Sequence, residues 1–141
     1  MIRVVLDTNI LVSALLQPLG PPAQVFELFL GGALQLCLTG KIYAEYEEVI
    51  SRPRFGRSEA TIAQTLQTIR EKGFWVRPSE AIRACIDPDD DIFLECAVAA
   101  GAEFLVTGNL KHFPASIRET RVQRDGCLIF VSGREAKVPS E

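Results

Sequence analysis

The sequence predicts an α/β fold in which helices cover both faces of a parallel sheet. Short apolar runs rich in β-branched residues alternate with segments whose apolar residues recur at helical spacing. With 48% hydrophobic and 23% charged residues, the composition is typical of a globular protein and excludes a disordered or fibrous chain. The length of 141 residues suits one domain, since two domains would each be too small to bury a good core.

The first half of the chain contains two predicted strands and three predicted helices. Residues 2–7 (IRVVLD) form an apolar run typical of a strand buried on both faces, and residues 33–39 (ALQLCLT) predict a second strand. Residues 8–16 (TNILVSALL) have helical spacing and begin with a Thr-Asn pair that can cap the helix. Residues 23–30 predict a helix that ends at a Gly-Gly pair, and residues 41–51 predict one that stops before a proline.

The second half begins with helices around a short strand. Residues 58–72 predict a helix with Ser58 as its N-cap and a glycine at its end. Residues 74–76 suit a short strand, and residues 78–85 suit one or two helical turns. Residues 87–100 predict a further helix that ends at a glycine.

The remaining residues complete the predicted sheet. Residues 103–107 (EFLVT) predict a third strong strand, which a loop and a short helical piece follow. Residues 126–132 (GCLIFVS) predict the last strand. We therefore expect one domain over residues 1–132 and a polar, flexible tail over residues 133–141.

Charge and cysteine content narrow the function classes. Fifteen Lys and Arg against eighteen Asp and Glu give a net charge of −3, whereas a protein that coats nucleic acid is normally basic. Four scattered cysteines without a CxxC pair, and a single histidine, argue against a structural zinc site and for reduced, buried thiols. No signal peptide precedes the first strand and no apolar run reaches membrane length, so we expect a cytoplasmic protein without a membrane span.

Asp7 is the first candidate functional residue. It follows the first predicted strand, and open parallel sheets bind ligands beyond the carboxyl ends of their strands. Its simpler role is to cap the next helix. Because Thr8 and Asn9 can also cap that helix, three successive capping residues exceed the structural need.

A second acidic candidate is the DPDDD cluster. Asp87 before Pro88 suits a helix N-cap, and Asp89 and Asp90 suit a first helical turn, where the helix dipole favours negative charge. Asp91 lies about one turn into the helix and is not needed for capping. Four carboxylates within five residues repel one another, and a divalent cation or a basic partner would relieve that repulsion. A plain acidic helix start remains the alternative.

Two further places offer polar candidates. In the third predicted helix, Glu45 and Glu47 fall on the two borders of the apolar stripe at about 100° per residue, whereas Glu48 faces away. Periodicity does not choose between the first two. After the third strong strand, Thr107 and Asn109 offer uncharged hydrogen-bonding groups, which a parallel sheet would place level with the first aspartate.

Three motifs in a fixed order carry a family resemblance. They are VVLDTNILVSAL, AEYEEVISRPRF and DPDDDIFLECAVAAGAEFLVTGNLKHF. Together they resemble PIN-domain proteins over roughly residues 2–131, and most of all the bacterial and archaeal toxins of toxin–antitoxin pairs that are related to the VapC-type ribonucleases. The resemblance implies a three-layer α/β/α sandwich with a central parallel sheet, a cognate antitoxin protein and a homodimer.

The resemblance also implies a set of catalytic acids. Members of the family typically hold Mg²⁺ or Mn²⁺ with a ring of acids and hydrolyse RNA, and the matching positions here are Asp7, Glu45 and Asp91. Carboxylates are hard oxygen ligands, which favour these cations over zinc. A bound metal would lower the pKa of the attacking water, so no covalent nucleophile is required.

The sequence departs from the family at one position. Many members have a fourth acid where this chain has Asn109, so a second metal would be held more weakly. Asp87 or Asp90 can compensate as an additional metal ligand. Asn9 and Thr107 match the supporting polar positions of the family.

An acidic site repels RNA and therefore needs a basic rim. Arg52, Arg54 and Arg57 follow the third predicted helix, and Lys111 and His112 follow the third strong strand. These five side chains are candidate phosphate contacts. Ordinary solvated charge is the alternative explanation for them.

The predicted function is a metal-dependent endoribonuclease, the toxin of a toxin–antitoxin pair. The RNA target, a DNA substrate and the number of metals stay open at this point. A PIN-like domain that binds RNA or a protein without cutting is the main alternative, because the fourth acid is missing. A phosphatase-like enzyme with Asp7 as its nucleophile is a weaker alternative, since it would need a second aspartate where the chain has Asn9.

Overall fold

Strands and helices alternate along the chain, as the sequence predicts. The computed structural model describes residues 2–52, 58–78, 81–83, 85 and 88–107, and the backbone of residues 116–117 and 120–123. The strands are β1 (Ile2–Leu6), β2 (Leu34–Leu38), β3 (Phe74–Trp75), β4 (Phe104–Val106), β5 (Ser116–Ile117) and β6 (Thr120–Gln123). The helices are α1 (Thr8–Leu16), α2 (Pro21–Leu30), α3 (Gly40–Ile50), α4 (Glu59–Lys72) and α5 (Asp91–Ala100).

The strands form one sheet in the order β3-β2-β1-β4-β6-β5. Neighbouring strands are parallel except for β5, which is antiparallel to β6. At the centre, β1 pairs Ile2 with Leu34 of β2 and Val4 with Phe104 of β4. Because the chain leaves β1 toward β2 on one side and later returns to β4 on the other, a crevice is expected at the carboxyl ends of β1 and β4.

Helices cover both faces of the sheet. The connections from β1 to β2 and from β2 to β3 run toward one edge of the sheet, whereas the connection from β3 to β4 runs back toward the other edge. Because each crossover is right-handed, helices in connections of opposite direction lie on opposite faces of the sheet. On one face α1 packs on α2 and α3, and α3 packs on α4, whereas α5 packs on β1, β2 and β4. The result is the predicted three-layer α/β/α sandwich with a central parallel sheet.

The hydrophobic core lies on both sides of the three central strands. Val5, Leu36 and Leu105 of these strands have no exposed surface, and neither do Leu11 of α1 and Leu94 of α5. The prediction that the first strand is buried on both faces is therefore confirmed. Within the described part of the chain, no helix is both long enough and apolar enough to span a membrane.

The predicted helix over residues 87–100 begins later than expected. A 3₁₀ turn over Pro88–Asp90 precedes α5, which starts at Asp91. Tighter turns of this kind are frequent at helix N-termini. The predicted helical turns over residues 78–85 are absent from the part of that segment that the structure describes. There the backbone N–H groups of Ile82 and Cys85 donate to side chains of α5 instead of to a local helix.

The segment after β4 also differs from the prediction of a loop and a short helical piece. β5 and β6 lie there, and β6 pairs in parallel with β4 along Leu105 and Val106. This pairing satisfies the open edge of β4, a long-range effect that local helical preference does not reveal. The predicted strand over residues 126–132 and the tail over residues 133–141 lie outside the described residues.

Candidate metal centre

The carboxyl ends of the central strands bring three polar residues to one level. Continuing the register beyond the paired residues places Asp7 opposite Thr39 after β2 and Thr107 after β4. Asp7 is 4% exposed, and its backbone N–H donates to the carbonyl of Val106 at 2.9 Å. The hydroxyl of Thr107 donates to Oδ2 of Asp7 at 2.6 Å. The expectation that Thr107 lies level with Asp7 is therefore confirmed.

Asp7 precedes α1, but its carboxylate does not cap that helix. It occupies the N-cap position without a side-chain capping hydrogen bond. The predicted Thr-Asn cap is also wrong, because Thr8 and Asn9 already belong to the helix. Thr8 is buried and its hydroxyl donates to Oε2 of Glu45, whereas Asn9 is exposed. The surplus of capping residues in the sequence thus corresponds to a contact between α1 and α3.

The structure resolves the ambiguity between the glutamates of α3. Glu45 is half-buried and lies near Thr8 and Asp7, whereas Glu47 and Glu48 are exposed. Burial raises the pKa of Glu45, the hydrogen bond from Thr8 lowers it, and the nearby charge of Asp7 raises it further. Sequence periodicity allowed either Glu45 or Glu47 to border the core, and the packing of α3 places Glu45 beside Asp7.

A buried tyrosine positions α3 relative to the end of β1. Tyr46 has no exposed surface, and its hydroxyl donates to the carbonyl of Leu6. Burial raises the pKa of Tyr46 well above its ordinary value, so the hydroxyl remains a donor. Since Glu45 precedes Tyr46 and Asp7 follows Leu6, this hydrogen bond holds the two acids near each other. The helical spacing of apolar residues predicts only that Tyr46 faces the core and does not reveal this hydrogen bond.

Asp91 brings the third acid from the opposite helical layer. It is 6% exposed, and its Oδ1 accepts a hydrogen bond from the backbone N–H of Cys85 at 2.8 Å. Burial raises the pKa of the Cys85 thiol, and the charges of Asp91, Asp90 and Asp7 raise it further. These three aspartates therefore act on a common region around Cys85.

The remaining predicted site residues fall into two groups. Asp90 is half-buried at the end of the 3₁₀ turn, and Asp89 is exposed but close enough to raise the pKa of Glu45. Arg52 is exposed and forms a 2.8 Å salt bridge with Glu48 on the solvent side of α3. The other predicted side chains lie outside the described residues: Asp87, Asn109, Arg54, Arg57, Lys111 and His112.

The donor set suits a hard divalent cation, because Asp7, Glu45 and Asp91 offer only carboxylate oxygens. Each carboxylate also accepts a hydrogen bond from a neighbouring group of the chain. Considering only the residues that the structure describes, no three His, Cys, Asp or Glu side chains are arranged to hold a metal ion. Binding of a cation by all three acids would therefore require their side chains to move from the positions seen here.

Replacing Glu45 with glutamine is expected to stabilise the metal-free protein at pH 8 by about 0.5 kcal/mol, after solvent screening is taken into account. Because the pKa of Glu45 is raised on folding, this carboxyl reduces the stability of the protein as pH rises above its ordinary value of 4.5. Glu45→Gln has no carboxyl to ionise at this position, so it does not lose stability in this way as pH rises. Urea unfolding at pH 4 and pH 8 measures the effect, which should shrink toward zero at pH 4.

Glu47→Gln is the matched control, because Glu47 is an exposed acid on the same helix. This variant should leave the free energy of unfolding unchanged at both pH values. An equal stabilisation by Glu45→Gln at pH 4 and pH 8 would contradict the assigned cause, since a protonated carboxyl has no charge to desolvate.

Comparisons with known proteins point to one family. The family profile described as "PIN domain" matches residues 3–111. The uncharacterized protein MJ1680 of Methanocaldococcus jannaschii is 26% identical over 111 residues, which cover 77% of this chain and 71% of that protein. The fold is similar to that in the crystal structure of VapBC2 from Rickettsia felis bound to a DNA fragment from their promoter. That match has a TM-score of 0.56 and 17% identity, and covers 87% of this chain and 98% of the matched chain.

Proposed function

The chain belongs to the PIN domain family, and from that premise we propose that it is a metal-dependent endoribonuclease. PIN domains are generally nucleases. One observation supports the proposal above all: Asp7, Glu45 and Asp91 come from three distant parts of the sequence and lie at one edge of the sheet. Two buried aspartates and a half-buried glutamate near the carboxyl ends of the central strands support a functional role, because charged side chains are seldom buried for packing alone.

The proposed ligands of Mg²⁺ or Mn²⁺ are Asp7, Glu45 and Asp91. When bound, the cation supplies charge neutralisation at the phosphate and a more acidic water. The chain itself orients the ligands: Thr107 holds Asp7, Thr8 holds Glu45 and the backbone of Cys85 holds Asp91. Such outer contacts orient metal ligands in many proteins.

We further propose that the protein is the toxin of a toxin–antitoxin pair, acts in the cytoplasm and forms a homodimer. The fold resembles a chain of the Rickettsia felis VapBC2 structure, in which VapBC2 is bound to a DNA fragment from their promoter. An antitoxin that covers the acidic crevice would need basic groups to match its charge.

Further residues complete the proposed site. Asp87 and Asp90 are proposed as additional metal ligands, and Asn9 and Asn109 as supporting polar groups. The proposed RNA contacts are Arg52, Arg54, Arg57, Lys111 and His112.

The decisive experiment incubates the purified protein with total RNA and Mn²⁺ or Mg²⁺ and maps new ends. Glu45→Gln and Glu47→Gln form the variant pair, because only the first changes an acid that faces the crevice. We expect wild type and Glu47→Gln to produce the same ends, and Glu45→Gln or a chelator to suppress them. A DNA strand of matching sequence tests the choice of RNA.

Absence of new ends, or end profiles that are identical for all three proteins and unaffected by the chelator, would overturn the nuclease proposal. In that case Asn109, which stands where many PIN domains have a fourth acid, favours the second candidate. This is a PIN-like domain that binds RNA or protein without cutting. Mn²⁺ binding without cleavage of any RNA would be the expected behaviour of that domain.

A further inference from the structure

A cavity of about 530 Å³ lies beside the candidate metal centre and is not part of it. One wall is the start of α3 and the residue before it, with Thr39, Gly40 and Lys41. A second part of the lining is the face of α5 that carries Ile92 and Glu95. This volume falls within the range of about 300–1,000 Å³ that is typical of small-ligand pockets.

The cavity and the acids share one edge of the sheet. Thr39 follows β2 and lies level with Asp7, which follows the neighbouring strand β1. On α5, Glu95 lies one turn beyond Asp91, a rise of about 6 Å along the helix axis. A chain of nucleotides with a phosphate at the acids can therefore reach the cavity with the next nucleotide.

The walls of the cavity differ in chemistry. Pro78, Ala81 and Ile92 supply apolar surface, which suits the face of a base. Lys41 is exposed at the rim and suits a phosphate. Glu95 is half-buried, and its Oε2 accepts a hydrogen bond from the backbone N–H of Ile82 at 2.9 Å.

Glu95 gives the cavity a preference among bases. An ionised carboxylate can only accept hydrogen bonds. At matching positions cytosine presents an amino donor and uracil presents a carbonyl acceptor. The bond from Ile82 fixes the side chain but leaves acceptor capacity on the carboxylate. The walls therefore favour cytosine over uracil.

We propose that this cavity binds the nucleotide adjacent to the scissile phosphate of the RNA, with a preference for a base that bears an amino donor. The inference rests on the proposed nuclease function for its substrate. Lys41 contacts the phosphate of that nucleotide, the apolar wall contacts the base, and Glu95 accepts from the amino group.

The test titrates the full-length protein, in EDTA, with cytidine 5′-monophosphate and uridine 5′-monophosphate, followed by amide chemical shifts. We expect cytidine monophosphate to shift the amides of Gly40, Lys41 and Glu95 and to bind about tenfold more tightly than uridine monophosphate. Glu95→Gln keeps an acceptor for Ile82 but adds a donor, so it should remove the preference for cytosine.

Two further variants separate the walls. Gly40→Leu adds a bulky side chain at a residue that lines the cavity, and a Cβ at Gly40 meets nothing within 4 Å, so we expect the variant to fold and to bind neither nucleotide. Lys41→Ala should weaken both nucleotides about equally, by roughly tenfold. Lys72→Ala removes an exposed lysine whose ammonium group donates to the carbonyl of Leu30, away from the cavity, and should leave the binding of both nucleotides unchanged.

Absence of shifts at the cavity, or unchanged binding by Gly40→Leu, would overturn the inference. If RNA cleavage depends on Asp91 but neither nucleotide binds, this inference fails and the proposed function stands. If cytidine monophosphate occupies the cavity but no RNA is cut, the proposed function fails and a nucleotide site remains. With an active nuclease, mapped cuts should favour cytosine over uracil at the adjacent position, and Glu95→Gln should reduce that bias.

Discussion

Asp91→Asn is expected to lower the rate of RNA cleavage by about a thousandfold or more, which corresponds to about 4 kcal/mol of transition-state stabilisation. Asparagine has nearly the same shape and keeps an oxygen for the backbone N–H of Cys85. It lacks the negative charge that strengthens the binding of a divalent cation and balances its charge. Initial rates on an RNA with a mapped cut, at saturating Mn²⁺, measure the effect.

Asp7→Asn should cause a loss of similar size for the same reason, since Thr107 can still donate to the amide oxygen. Glu103→Gln is the control, because Glu103 is an exposed acid that follows α5. Its rate should equal that of wild type. Full activity in Asp91→Asn would remove Asp91 from the catalytic set. Trapping of a phosphoryl group on Asp7 would instead support the phosphatase-like alternative.

Phe93→Ala is expected to reduce the free energy of unfolding by about 3–5 kcal/mol, a large part of the stability of a domain of this size. Phe93 is 1% exposed and lies in α5, the helix that packs on three central strands. Removal of its ring leaves a cavity that the surrounding strands cannot fully close. Urea unfolding followed by circular dichroism measures the loss.

Two controls separate packing from general sensitivity to substitution. Phe93→Leu keeps most of the apolar volume and should cost less than about half as much. Leu19→Ala changes a side chain that is 93% exposed and should lie within about 0.5 kcal/mol of wild type. Equal losses for Phe93→Ala and Leu19→Ala would contradict the assignment of the core to the face of α5 that packs on the sheet.

Local sequence patterns were sufficient for most of the fold. The apolar run of β1 predicts a strand buried on both faces because a central parallel strand needs apolar residues on each side. Ser58 predicts the start of α4 because its hydroxyl satisfies the N–H of Thr61. Both features involve residues close in sequence, so they can be recognised without knowledge of the tertiary structure.

Long-range pairing was not predictable in the same way. The strands β5 and β6 occupy a segment where local preference predicted a loop and a short helical piece. Their stability depends on the edge of β4, which only the assembled sheet presents. The same reason applies to Ile82, whose backbone N–H donates to Glu95 of α5 instead of to a residue of a local helix.

In the candidate site, too, local features were predictable from the sequence and long-range contacts were not. The sequence alone identified Asp7 as an acid in excess of structural need, because capping effects are local and can be counted along the chain. The prediction that Asp91 lies about one turn into its helix was wrong, because the 3₁₀ turn over Pro88–Asp90 makes Asp91 the first residue of α5, where the helix dipole also favours negative charge. Periodicity left Glu45 and Glu47 open and the family resemblance favoured Glu45; the tertiary structure brings Glu45 near Asp7 and gives Thr8 a partner 37 residues away. Helical periodicity leaves both borders of a stripe equivalent, and that equivalence ends only when α3 packs against α1 and the end of β1.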